Sequence, residues 1–148
     1  MAERPDIRLT REEQAVFLKE HRKGALATLD RDGFPHVVAM NFCVRDGVFW
    51  MTSYGKAQKV LNVRRDPKVA LMVETGSAYA ELQGVMVRGL CEILEEADAV
   101  QRVFQWMAED RKEPRPAGAS RSAPKRVVMK IVPLKTFTWD HTKLGGRY

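Results

Sequence analysis

A mainly β fold, a closed or nearly closed antiparallel barrel with satellite helices, is what this chain of 148 residues predicts. Three observations carry that expectation. About six apolar runs rich in Val, Ala, Phe and Met are separated by turn sequences such as Asp30-Arg31-Asp32-Gly33, Arg45-Asp46-Gly47 and Thr75-Gly76-Ser77. Helical signals occur in only three places. One run, Phe34 to Phe42, is apolar on both faces, with Val37, Ala39 and Asn41 on one and Val38, Met40 and Phe42 on the other. An antiparallel strand of that kind suits a barrel wall whose outer face is also covered, by a partner subunit or a cofactor.

The length suits one domain, residues 1–148, with a core of its own, and 45% hydrophobic with 30% charged residues is ordinary globular composition. No apolar run approaches the ~20 residues that cross a bilayer, and Met1-Ala2-Glu3-Arg4-Pro5 does not read as a secretory signal. Cys43 and Cys91 stand far apart without a CxxC pattern, which argues against a disulfide framework or a zinc site. The expected compartment is the cytoplasm. A net charge of +6 invites a nucleic-acid reading. The basic residues, however, are spread along the chain and come without aromatic stacking motifs or helix-turn-helix spacing. An anionic small molecule accounts for a local basic cluster.

Taken in order, Thr10-Arg11-Glu12-Glu13 fits a capping box, and the helix it opens ends near Lys23, with Gly24 expected just past its end. Gly24 to Leu29 and Phe34 to Phe42 follow as strands joined by an Asp-Gly turn. Val48 to Ser53 is the next strand, and the helix after it is closed by Asp66-Pro67. Val69 to Glu74 and the long stretch from Tyr79 to Leu94 are β-rich, with Gly84 and Gly89 where a bulge or corner is useful. Glu95, Glu96 and Asp98 open a helix whose Val100, Val103, Phe104 and Met107 form an amphipathic stripe. A loop is expected from Glu113 to Pro124, then strands at Arg126 to Val132 and Lys135 to Trp139.

Chemistry concentrates between Thr52 and Lys68. Lys56, Lys59, Arg64, Arg65 and Lys68 place five cations in thirteen residues, against the single acid Asp66. Lys56 and Lys59 fall at or near the first turn of the expected helix, where unsatisfied N–H groups are already positive. Either these lysines are simply solvated, or an anion sits there, held by N–H groups, the hydroxyls of Thr52 and Ser53, and an ammonium. Elsewhere the chain carries no GxSxG, Walker loop, GxGxxG or HExxH. His21, His36 and His141 are too scattered for metal binding, His36 reads as a satisfied structural histidine, and both cysteines read as core. An enzyme with so little chemistry of its own needs a cofactor that carries the reaction, and a phosphate cradle beside an apolar wall suits a phosphorylated organic one.

The succession Gly33-Phe34-Pro35-His36-Val37-Val38, an Asp-Gly turn, Phe49-Trp50-Met51-Thr52-Ser53, then Lys59 ahead of Asn62-Val63-Arg64-Arg65-Asp66-Pro67 resembles the pyridoxamine 5′-phosphate oxidase-like split β-barrel superfamily. Glu81 to Gly89 fits its next strand pair. The ending, Lys125 to Leu144, is similar to the flavin/deazaflavin oxidoreductase branch. The resemblance implies a split barrel and a homodimer with cofactor sites at the subunit interface. It places Lys59 at the cofactor phosphate with Thr52 and Ser53 assisting, and Val37, Val38, Ala39 and Met40 along the flavin ring. Gln83 falls near a position that reaches the cofactor. Ala57 and Gln58 stand where family members often carry an Arg, with Lys56 as a nearby substitute. The C-terminal Arg-x-His of the vitamin B6 oxidases is absent, so the implied cofactor is coenzyme F420 or FMN.

The expected function is thus an oxidoreductase passing a hydride between F420 or FMN and a conjugated small molecule, with Tyr54, His141 and Lys143 as candidate proton donors. The alternatives are a flavin- or haem-binding storage protein without turnover and, more remotely, a nucleic-acid-binding barrel.

Overall fold

Seven antiparallel strands form one curled sheet, a half-barrel, in the order β2-β1-β5-β6-β7-β4-β3. The structure is a computed structural model, and residues 3–112 and 125–146 are described. The strands are β1 (Lys23–Leu29), β2 (Pro35–Asn41), β3 (Cys43–Arg45), β4 (Val48–Tyr54), β5 (Lys68–Thr75), β6 (Gln83–Leu94) and β7 (Arg126–Asp140). Among the described residues three α-helices accompany them, α1 (Arg11–Glu20), α2 (Gln58–Arg65) and α3 (Ala97–Arg111). The loop expected from Glu113 to Pro124 lies outside the described residues.

Local sequence rules account for most boundaries. Thr10 accepts a hydrogen bond from the Glu13 N–H at 3.1 Å, and Glu13 accepts one from the Thr10 N–H at 3.0 Å, the reciprocal pair of a capping box. Asp46 and Gly47 both take positive φ (53° and 74°), the twist that lets a two-residue turn join β3 to β4. α2 stops at Arg65 because Asp66, ahead of Pro67, is extended.

The elements differ from the sequence expectation in three places. The first helix ends at Glu20, and Gly24 lies inside β1, where a Cβ would sit 2.8 Å from the Met72 carbonyl oxygen. Gly24 therefore serves close strand packing and not a helix end. Three-residue β3 carries no pattern of its own and was not expected. The last two expected strands are one, β7, running through Pro133. The β6–β7 register shifts so that Arg88 faces Lys135 and Gly89 faces Pro133. Leu134 is left over as a bulge, the setting in which a strand tolerates proline. Gly89 permits the close approach, since a Cβ there would lie 2.5 Å from the Val132 carbonyl oxygen.

The core fills the inside of the curl with Leu26, Phe42, Phe49, Met51, Leu71, Val87, Met129 and Ile131, all buried. α2 enters this interior and packs against β1 and β6, while α3 covers β7, β4 and β3. The anchor of α2 is polar. Asn62, fully buried, donates to Thr28 Oγ1 at 3.0 Å and Asp30 Oδ1 at 2.7 Å and accepts from Gln58 Nε2 at 2.8 Å.

The outer side of the sheet is different. Ala39, Ala25, Met72, Met86 and Phe137 stand side by side across five strands. Val37 is 60% exposed, Met72 42% and Leu90 41%. The expected two-sided burial of β2 is thus not met within one chain: β2 is an edge strand with an exposed outer face.

Replacing Asn62 with Ala strands the Thr28 hydroxyl and the Asp30 carboxylate. The expected cost is about 2–3 kcal/mol, read as a lowered midpoint in urea unfolding with an unchanged m-value.

Candidate functional site

The two edges of the sheet meet at one corner. Phe42, the single residue between β2 and β3, donates its N–H to the Arg22 carbonyl at 2.9 Å. Away from that corner the edges part. β3 pairs only with Val48–Trp50, so Met51 to Tyr54 have β7 as their one neighbour, and β2 has only β1. α2 leaves the end of β4 through Gly55 and reaches β1 through Asn62, so it bridges the open seam from within.

At the β4 end of this seam the chain gathers cations. Lys59 is the second residue of α2, whose N-cap, Ala57, offers no side-chain bond to the first N–H groups. The start of β7 adds Arg126, brought opposite Tyr54 by strand register. Its guanidinium lies 4.4 Å over the Tyr54 ring and 5.6 Å from the Phe104 ring centroid. One Nη reaches Thr52 Oγ1 at 3.5 Å, and its Nε is enclosed without a hydrogen-bond partner. Among the described residues neither Lys59 nor Arg126 is ion-paired with a carboxylate. Burial holds the Lys59 ammonium below its ordinary pKa, and the Arg126 charge lowers it further. Two cations that repel each other and lack a carboxylate partner leave a positive charge that an anion would neutralise.

Beside the pair opens a cleft of about 700 Å³ lined by Tyr54, Lys56, Arg64, Glu95, Lys125 and Arg126, with Gly55 and Val127. Arg64 is tied to Glu95 at 2.6 Å. Arg65, counted in the basic run of the sequence, instead turns to the Leu29 carbonyl and to Asn62 and takes no part in this cleft.

The residues singled out in the sequence are placed as follows. Lys56 lines the cleft, and Thr52 faces Arg126. Ser53 is on the opposite face of β4, buried, and donates to the Tyr54 carbonyl at 3.2 Å. Val38 and Met40 point to the inner side of β2, half-buried, while Val37 and Ala39 point outward. Gln83 lies at the far end of β6 from Leu94, near which the cations gather, and lines a separate cleft with Leu9, Glu13, Phe17 and Asp140. Within one chain it does not join Lys59.

Of the proton-donor candidates only Tyr54 stands at the cations. His141 Nδ1 is 2.7 Å from the Tyr79 carbonyl, and Lys143 bonds Glu13 at 2.7 Å and the Arg8 carbonyl at 2.8 Å. His36 is not the satisfied histidine expected, because its Nδ1 is enclosed without a partner. Both thiols are buried and pushed up to about 12 by desolvation, as befits core residues. Among the described residues no group of His, Cys, Asp and Glu is arranged to hold a metal. Arg126 was missed from sequence, where it stands only as the polar start of an apolar run. Its partner Tyr54 is 72 positions earlier (126 − 54), a separation that only strand pairing closes.

The family model described as pyridoxamine 5′-phosphate oxidase matches residues 10–140. A solved structure of Mycobacterium tuberculosis, the conserved hypothetical protein Rv2991, is 38% identical with a TM-score of 0.87, over 100% of this chain and 95% of that one. The F420H(2)-dependent biliverdin reductase of Mycobacterium tuberculosis is 28% identical over 118 residues, 78% of each chain. A structure described as an F420 reductase is 27% identical with a TM-score of 0.67, over 82% of this chain and 94% of that one.

The lowered Lys59 pKa carries a sign. Folding disfavours the protonated form, so at neutral pH the charged ammonium costs stability, and the cost is relieved only as pH rises through the lowered pKa. Lys59→Met is expected to leave thermal stability at pH 7 unchanged or raised in anion-free buffer. Inorganic phosphate is expected to raise the melting temperature of the wild type more than that of the variant, as read by calorimetry.

Proposed function

The chain belongs to the pyridoxamine 5′-phosphate oxidase family, and from that premise we propose that it is an oxidoreductase. In this reading it holds a phosphorylated cofactor, coenzyme F420 or FMN, and serves hydride transfer to a conjugated small molecule. The observation that carries the proposal is the Lys59–Arg126 pair, two cations that repel each other at a helix end without a side-chain cap, neither of them ion-paired with a carboxylate among the described residues. The donor set fits a phosphate: an ammonium, a clamped guanidinium and free helix N–H groups.

Lys59 and Arg126 hold the phosphate. The strand β2, with Val37 to Met40, orients the ring, and the core side of the seam keeps water from its inner face. The bound cofactor supplies the hydride. The cleft with Lys56, Lys125 and Arg126 extends the cationic surface beyond one phosphate, and two relatives are named for F420. Both features favour the deazaflavin over FMN.

The outward apolar face supports a homodimer as part of the same reading. Among the described residues that face stays open, with Val37 and Met72 on it exposed. A second copy would cover it and could bring its own residues to the seam. Placement in the cytoplasm also belongs to the proposal. Among the described residues no helix is long and apolar enough to cross a membrane.

Two expected outcomes test it. In paired fluorescence titrations, the protein binds F420 more tightly than FMN, and Lys59→Ala weakens that binding by about 1–3 kcal/mol. Unchanged affinity in the variant would remove Lys59 from the site, and tight binding with no reductase activity over a broad substrate panel would make the protein a carrier. In light scattering the wild type runs as a dimer and Met72→Glu as a monomer; a monomeric wild type would restrict the site to one chain.

A further inference from the structure

The cleft beside the Lys59–Arg126 pair holds four cations, Lys56, Arg64, Lys125 and Arg126, and one acid, Glu95. Glu95 follows the end of β6, and its carboxylate takes Arg64 from α2 at 2.6 Å. Both side chains remain in contact with solvent, 43% and 70% exposed, so the bridge is weak and exchangeable. Lys56 and Lys125 make no ion pair among the described residues.

We infer that Glu95 is a built-in competitor anion that holds Arg64 and so lowers this cleft's preference for ligands carrying a phosphate and at least one further anionic group over a lone phosphate. The inference rests on the reading of Lys59 and Arg126 as the phosphate cradle. A lone phosphate satisfies that pair and leaves the Arg64–Glu95 bridge intact. A longer polyanion runs on past Lys56 and Lys125 and meets Arg64, which then exchanges Glu95 for the ligand. Because Arg64 trades one carboxylate for another anion, the wild type gains little from it. Glu95 therefore narrows the advantage that a ligand with several anionic groups along the cleft has over a lone phosphate.

Calorimetric titration of the full chain with inorganic phosphate and with tripolyphosphate tests this. Glu95→Gln is expected to raise tripolyphosphate affinity about three- to tenfold, while phosphate affinity changes less than about twofold. The tripolyphosphate salt dependence is expected to steepen by about one ion, since Arg64 then exchanges a mobile counter-ion in place of Glu95. In Arg64→Gln/Glu95→Gln the gain disappears. A gain that persists without Arg64, or one equal for both anions, would overturn the inference and leave Glu95 as background charge. If phosphate binding does not depend on Lys59, in a Lys59→Ala control, the cradle reading itself fails. If it does depend on Lys59 but Glu95→Gln changes nothing, only the competitor role of Glu95 fails.

Discussion

The side-chain amide of Asn62 is the contact on which the site depends. It ties α2 to β1 through Thr28 and Asp30, and α2 in turn fixes Lys59 at the mouth of the seam. A fully buried amide is costly unless its groups are bonded, so its partners Thr28 and Asp30 at the end of β1 specify one position for the helix. An apolar residue in its place would leave α2 free to slide along the inside of the curl. Hydrophobic packing of Val60 and Val63 supplies attraction but little registry.

A second constraint opposes the first. Folding brings Lys59, Arg126, Lys56 and Lys125 to one corner of the molecule, which self-repulsion disfavours. Three cations elsewhere are balanced: Arg45 by Asp110, Arg8 by Asp6, Lys143 by Glu13. Lys59 and Arg126 have no such carboxylate partner among the described residues. Arg126 is held there by ring faces and Thr52 instead of a carboxylate.

Much of this was legible in the sequence because it is local. The capping box at Thr10, the Asp46-Gly47 hairpin, the Pro67 stop and the stripe of α3 all rest on neighbours within a few residues. The misplaced cations at the start of α2 were legible for the same reason, as a broken local rule. What could not be read depends on pairing between distant segments. Arg126 joins Lys59 only through the β4–β7 register, and Arg65 leaves the cluster only because α2 turns that side toward β1. The bulge at Leu134 was half visible, in Gly89, but the opposition of Gly89 to Pro133 belongs to the folded sheet.

The exposed edge of β2 has a bearing on the life of the single chain. Its outward Val37 and Ala39 and its unpaired backbone form a template on which another strand can add, with Pro35 as the one blunting residue at its start. A newly made chain therefore carries an aggregation hazard along the same strand that borders the seam. In the proposed reading that strand also flanks the cofactor, so solubility and ligand binding are selected on one stretch of seven residues.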